Sequence, residues 1–246
     1  MAQVCVIFGA GEYYAGTPVV PTGAYVIAAD GGLDHTRGLG IVPDVVVGDF
    51  DSLEGRPPRT DVRTIALPAL KDDPDMLSAL KVGWSAGCRE FHVYGGLGGR
   101  IDHTISGIQL MALLARHGAS GYLYGDGLIV TAITDGRLSF PAHPVPEDGR
   151  MVSAFSHSDV SLGVNEPGLK YELKDSTLTN TVVQGVSNEF RDGVDAAISV
   201  KRGTLIVTFP IEVALPQVSR FHEFGGDGHR SVQAAGSLTC MPLACS

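Results

Sequence analysis

The chain has 246 residues, with 18 Lys+Arg against 27 Asp+Glu and a formal charge of −9. That balance argues against a broad basic face for nucleic acid. Its 44% apolar content supports a folded core rather than a disordered chain. Its 32 glycines, roughly twice the usual ~7% share, lack the three-residue period of collagen.

The first half alternates short apolar runs with helical segments. Strands are predicted at Val4–Phe8, Ala24–Ala29, Val45–Val47, Val62–Leu67, Glu90–Tyr94 and Tyr122–Tyr124. Helices are predicted at Leu33–Leu39, Pro74–Ala86 and Asp102–Arg116. The second of these places Met76, Leu77, Leu80 and Trp84 on one face, with Trp84 turned to the core. Asp72, Asp73 and Asp75 suit the positive end of its dipole, and Pro74 suits its first turn. The third has Ile105, Ile108, Leu110, Met111 and Leu114 as its apolar set and Gly118 as its stop. Such alternation predicts an α/β fold, a mostly parallel open sheet flanked by helices.

The second half changes character. Short β-prone runs lie at Ile129–Ile133, Arg137–Phe140, Met151–Phe155, Val160–Leu162, Ser176–Thr181, Ala196–Val200 and Thr204–Phe209. Asp135-Gly136, Asp148-Gly149 and Arg202-Gly203 read as turns between some of them. This pattern predicts a C-terminal all-β sandwich. The expected organisation is therefore an α/β catalytic domain at 1–126, a β-sandwich at 127–212 and an irregular tail at 213–246.

The N-terminus has no basic segment or long apolar core and reads as a strand, not a leader. No run approaches the ~18 apolar residues of a membrane span. Cys5 and Cys88 look like core residues, and Cys240 and Cys245 have no zinc-type cluster around them. A cytoplasmic protein is expected, without nucleic-acid or membrane partners.

Open parallel sheets bind ligands at the carboxyl ends of their strands. Asp30, Asp49, Asp51, Asp72, Asp73, Asp75 and Asp102 all fall at such positions. Converging carboxylates repel and call for a counter-charge. A divalent cation such as Mg²⁺ supplies it, typically shared between one or two carboxylates and substrate phosphates. The run Gly95-Gly96-Leu97-Gly98-Gly99-Arg100 permits close backbone approach to a ligand, and Arg100 adds a fork that matches phosphate. There is no G-x-x-x-x-G-K-[ST] loop. The protein-kinase motifs and a G-x-S-x-G elbow are also missing. Gly9-Ala10-Gly11 continues to Tyr14, where the dinucleotide fingerprint needs glycine. The residues thus point to metal-dependent phosphate chemistry, with a phosphohydrolase, a nucleotidyltransferase or a nucleotide-sensing module as alternatives.

Five stretches carry a resemblance when taken in order. They are Ala29-Asp30-Gly31-Gly32, Gly48-Asp49-Phe50-Asp51-Ser52, Lys71-Asp72-Asp73-Pro74-Asp75, Gly98-Gly99-Arg100-Ile101-Asp102-His103 and Ser187-Asn188-Glu189. Together, over about residues 4–210, the chain resembles the thiamine pyrophosphokinases. Gly168-Leu169-Lys170-Tyr171 also fits. The resemblance implies a Mg²⁺-dependent homodimer that makes thiamine diphosphate and AMP from ATP and thiamine, with active sites between subunits. It implies that Asp49, Asp51 and Asp75 hold the metal and the phosphates. Asp30, Gly31, Gly32, Ser52, Lys71, Asp72, Gly98, Arg100 and Asp102 would line the nucleotide and reaction site, and Ser187 and Asn188 would contact thiamine. Asp102 or another of the acids would accept the hydroxyl proton. Two positions depart from the family pattern: Pro74 stands where threonine is usual, and Gly107 where asparagine is frequent.

Overall fold

The computed structural model describes residues 3–14, 16, 18–49, 61–67, 73–146 and 150–222. They form a mixed α/β fold with few helices, in two compact units divided between Thr104 and Ile105.

The first unit contains β1 (Gln3–Phe8), β2 (Tyr25–Ala29), α1 (Gly32–Gly38), β3 (Val45–Gly48), β4 (Arg63–Ala66), α2 (Asp75–Ser85) and β5 (Cys88–Tyr94). The strands lie in the order β5-β1-β2-β3-β4, every neighbouring pair parallel. Cys5–Phe8, Ile27, Ala28 and Val45–Val47 are buried, the continuous apolar runs expected of strands covered on both faces. The edge strand β4 is largely exposed.

Helix α2 packs through Leu77, Ala79, Leu80 and Gly83. A Cβ on Gly83 would come within 2.8 Å of Cys5 Sγ and Phe91 Cε1. Glycine there lets the helix settle on β1 and β5. Cys5 and Cys88 are buried free thiols, as expected, and share a hydrogen bond. Trp84 departs from the expectation: it is half-buried, with the Arg89 guanidinium 3.8 Å above its ring.

The helix α3 (Ile101–Arg116) is followed by β6 (Ser120–Tyr124), β7 (Leu128–Phe140), β8 (Met151–Ser156), β9 (Val160–Val164), β10 (Ser176–Thr179), β11 (Asn188–Glu189), β12 (Ala196–Pro210) and β13 (Gln217–Arg220). Gly107, Leu110, Met111 and Leu114 make the buried stripe of α3. Ile105, expected in that stripe, is 51% exposed. It lies two residues before Gly107, about 200° around the helix at 3.6 residues per turn.

In the second unit every assigned strand pair is antiparallel. Its spine is the β7–β12 ladder, running from Ala196↔Phe140 to Pro210↔Leu128. Asp135-Gly136 and Arg202-Gly203, expected as turns, lie inside these strands. The register shifts between Val200 and Thr204. Asp135 (φ 43°) and Gly203 (φ 120°) both take left-handed backbone there, and Gly203 N–H donates to Asp135 Oδ1 at 2.8 Å. The residues that build tight turns also build a bulge, because both need such backbone. Phe140 stacks edge-on with Phe190 and Phe209, at 5.1 and 5.3 Å, in the core. Strand β13 lies in the stretch expected to be irregular and pairs with β7. Asp148-Gly149, Cys240 and Cys245 fall outside the described residues. Among those residues, no helix is long and apolar enough to cross a membrane.

Candidate active site

Because β1 to β5 are parallel, their carboxyl ends share one edge of the first unit's sheet. Glycine-mediated approach brings the loops at that edge together. A Cβ on Gly32 would lie 2.0 Å from Phe8 O, and one on Gly48 would lie 3.0 Å from Asp30 Cα. The start of α1 is thus pressed onto the end of β1, and the ends of β2 and β3 meet. Asp30 and Asp49 consequently leave adjacent strands side by side. Asp30 takes a left-handed φ of 48°, uncommon for a residue other than glycine and concentrated at functional sites. Its N–H donates to Val47 O at 2.7 Å. Its side chain is buried, and Oδ1 has no hydrogen-bond partner. Asp49 is half-buried one residue beyond β3.

The N-terminus of α2 reaches the same edge, since a Cβ on Gly9 would meet Met76 Cε at 2.7 Å. Asp75 is the first residue of α2, and Pro74 occupies the cap position without a side-chain cap. Asp73 pairs with the buried Lys81 of the same helix. Lys81 is a cation behind the acidic edge that the sequence reading missed. Its signal was a lysine four residues after Leu77, on the buried stripe of α2.

The loop after β5 divides its glycines between two tasks. Gly9 N–H donates to Tyr94 O and Gly11 N–H to Gly95 O, at 2.8 and 2.9 Å. Cβ atoms at Gly11 and Gly95 would come within 2.5 Å of Gly95 O and 2.6 Å of Gly9 O, respectively. Part of the glycine-rich run therefore extends backbone pairing beyond the strands. At Gly98 the space a Cβ would fill is held by Tyr14 Oη, 2.0 Å away. Arg100 and Asp102 form an exposed two-point pair at 3.1 and 2.5 Å. The hydrogen bond from Arg100 holds the Asp102 carboxyl below its ordinary range, and Asp102 Oδ1 also accepts from His103 N–H. A second feature missed from sequence is an aromatic stack. Tyr13 lies over His35 with ring centroids 3.9 Å apart, and its hydroxyl donates to Gly9 O at 3.0 Å. Burial pushes the Tyr13 hydroxyl up and the His35 imidazole down.

Ser187 and Asn188 belong to the second unit. Ser187 is exposed, has φ 57°, and donates its N–H to Ser153 Oγ at 3.0 Å. Asn188 is buried and its amide is fully engaged. Oδ1 accepts from the N–H groups of Tyr171 and Glu189, and Nδ2 donates to Tyr171 O and to Glu166 Oε2. Glu189 pairs with Lys170 at 2.7 Å. The Gly168–Tyr171 stretch and Ser187–Glu189 are thus knit by one network centred on Asn188.

Asp51, Ser52, Lys71 and Asp72 lie outside the described residues. Among the described ones, no three acids, histidines or cysteines converge as a ready-made ion site. What is present is a set of hard oxygen donors and an orphaned buried oxygen on Asp30. That set fits an ion shared with substrate phosphates, as Mg²⁺ usually is.

Residues 19–123 match the family model described as thiamin pyrophosphokinase, catalytic domain. Over that stretch the chain is similar to the thiamin pyrophosphokinase catalytic domain. The fold agrees. The thiamine pyrophosphokinase of Bacillus subtilis is 21% identical, with a TM-score of 0.74, covering 86% of this chain and 100% of that one. That of Geobacillus thermodenitrificans is 20% identical, with a TM-score of 0.72 and coverage of 85% and 98%. The Candida albicans enzyme is 13% identical, with a TM-score of 0.66 and coverage of 86% and 90%. No curated protein matches.

Proposed function

We propose that this chain transfers the pyrophosphoryl group of ATP to the hydroxyl of thiamine, giving thiamine diphosphate and AMP. The observation that carries the reading is the match of residues 19–123 to the thiamin pyrophosphokinase catalytic domain. The acids gathered at the carboxyl edge of the first unit support it. Asp49, Asp51 and Asp75 would hold Mg²⁺, which when bound offsets phosphate charge and polarises phosphoryl oxygens. Asp30, Gly31, Gly32, Ser52, Lys71, Asp72 and Gly98 would line the nucleotide. Ser187 and Asn188 would form the thiamine wall, in a second unit read as a β-sandwich. The working form would be a cytoplasmic homodimer with its active site at the subunit interface.

Phosphoryl-type transfer rests on positioning and charge stabilisation more than on covalent chemistry. Arg100 is exposed and, among the described residues, is paired with Asp102. An exposed pair of this kind is weak, so the guanidinium can exchange its carboxylate for a phosphate. Asp102 then loses the partner that depresses its proton affinity and becomes a better acceptor for the thiamine hydroxyl proton. The test is incubation with Mg²⁺, ATP and thiamine, followed by separation of products. Equal amounts of AMP and thiamine diphosphate are expected. Release of phosphate or pyrophosphate without thiamine diphosphate would replace this reading with a hydrolase.

A further inference from the structure

Lys81 lies on the buried stripe of α2. Its side chain is 6% exposed, against 26% for its partner Asp73. An ammonium so far from water depends on a paired charge. Lys81 Nζ donates to Asp73 Oδ2, two residues before the first residue of α2. Helical side chains lean toward the N-terminus. The Lys81 stem thus follows the buried stripe and delivers its charge to the start of the helix. Such a pair is seldom kept for stability, since apolar residues of like volume often do as well. What it fixes is a geometry, the turn Asp73-Pro74-Asp75. Pro74 takes the cap position at φ −59° and ψ 149°, with no side-chain cap on the helix. Its ring holds that φ and restricts the residue before it. Few free dihedrals therefore separate Asp73 from Asp75, and a hold on Asp73 limits where Asp75 can go. Ser78 N–H anchors the same turn from within the helix, donating to Pro74 O at 3.1 Å.

We propose that Lys81 is a positioning residue: by clamping Asp73 it holds Asp75 at the carboxyl edge in the direction a shared cation needs. The inference rests on the assignment of Asp75 to Mg²⁺ in the proposed function. In this role Lys81 acts through Asp73 and Asp75 and meets neither the cation nor the nucleotide. Electrostatics works in the same direction. Carboxylates gathered at one edge repel. With its charge offset by Lys81, Asp73 neither pushes Asp75 aside nor competes with it for the ion. Without the ammonium, Asp73 becomes a free acid two residues from Asp75, able to draw the ion off its place.

The experiment compares the full-length protein with three variants. Lys81→Met keeps the apolar stem, Lys81→Arg keeps the charge, and Asp73→Asn removes the partner's charge. Calorimetry reads the affinity for ATP without thiamine, once with Mg²⁺ and once with EDTA. Steady-state assays with thiamine read the Mg²⁺ concentration at half-maximal rate. In Lys81→Met the affinity for ATP with Mg²⁺ should fall about 10- to 100-fold, the usual cost of losing a group that orients a metal ligand, while the affinity in EDTA stays within about twofold. The half-saturating Mg²⁺ should rise by a like factor, with the KM for thiamine unchanged. Lys81→Arg should recover most of the loss. Asp73→Asn should match Lys81→Met, and the double variant should be no worse than either, because both act through one pair. If Lys81→Met fails to fold, Asp73→Asn carries the test. An equal loss with and without Mg²⁺ is a general defect and overturns the positioning role. A folded Lys81→Met with unchanged Mg²⁺ dependence overturns it too and leaves the activity standing. Mg²⁺-dependent ATP binding that Lys81→Met weakens, without wild-type turnover of thiamine, overturns the activity and supports the clamp. Wild-type ATP binding indifferent to Mg²⁺ overturns both the metal assignment and the clamp.

Discussion

The two units keep their negative charge in opposite ways. In the first, Asp102 stands in water with a guanidinium on it, and the partner holds it ionised. In the second, Glu166 is buried, and burial, only partly opposed by the Asn188 hydrogen bond, pushes its carboxyl up. The same functional group thus sits in two opposite electrostatic settings. Aspartates at the ends of strands and the starts of helices can share a cation with phosphates and release it. A buried glutamate with an unpartnered oxygen instead costs stability when ionised in a low-dielectric site.

The construction differs as well. The first unit assembles its edge by removing side chains, at Gly9, Gly11, Gly32, Gly48 and Gly95. The second knits its loops by adding hydrogen bonds around Asn188.

The largest effect expected on this contrast is catalytic. Asp49→Ala removes a proposed metal ligand from a half-buried loop. Since such an ion contributes several kcal/mol to charge stabilisation, turnover should fall by at least about 10²-fold. Circular dichroism and the melting temperature should stay close to wild type. Near-normal turnover with Mg²⁺ would remove Asp49 from the metal set.

The next effect is on folding, and it tests whether close backbone approach holds the first unit's edge. In Gly32→Ala the new Cβ meets the Phe8 carbonyl at 2.0 Å, an obstacle that cannot rotate away. Overpacking of this kind costs about 1–3 kcal/mol or more. In Gly38→Ala, at the other end of α1, the new Cβ meets nothing within 4 Å. That variant should gain about 0.5–1 kcal/mol from helix propensity. Equal melting temperatures for the two variants would show that the approach at Gly32 does not matter.

Much of this was legible in the residues. Val45–Val47 and Cys5–Phe8 are apolar without alternation because both faces of a parallel sheet are covered, and a short run of that kind has few other readings. Asp30 and Asp49 were legible as edge residues because each ends such a run. What escaped depends on partners distant in sequence. Asp135-Gly136 carries the chemistry of a turn, and only the register against Val200–Thr204 shows it to be a bulge. Ile105 has the right hydrophobicity for the α3 stripe but the wrong phase. Lys81 reads as a solvated charge until Asp73 is placed beside it. Glu166 escaped for the same reason: nothing near it in sequence says that Asn188, 22 residues on, turns it into a buried acceptor.

The smallest effect separates the two settings of charge directly, through stability rather than activity. Burial raises the Glu166 carboxyl above its ordinary value of 4.5 in the folded protein. A group raised on folding contributes its full stability below the unfolded value and loses it as pH climbs through the folded one. Wild type should therefore match Glu166→Gln in melting temperature near pH 4.5 and fall below it by pH 8. An unpaired buried acceptor is worth about 1–3 kcal/mol, and a 246-residue chain moves roughly 2–4 °C per kcal/mol, so the gap should be a few degrees. Asp102→Asn should show no comparable gain at pH 8, since its carboxyl is already solvated and paired. If the two variants respond alike, the distinction between a solvated, paired carboxyl and a buried one is lost.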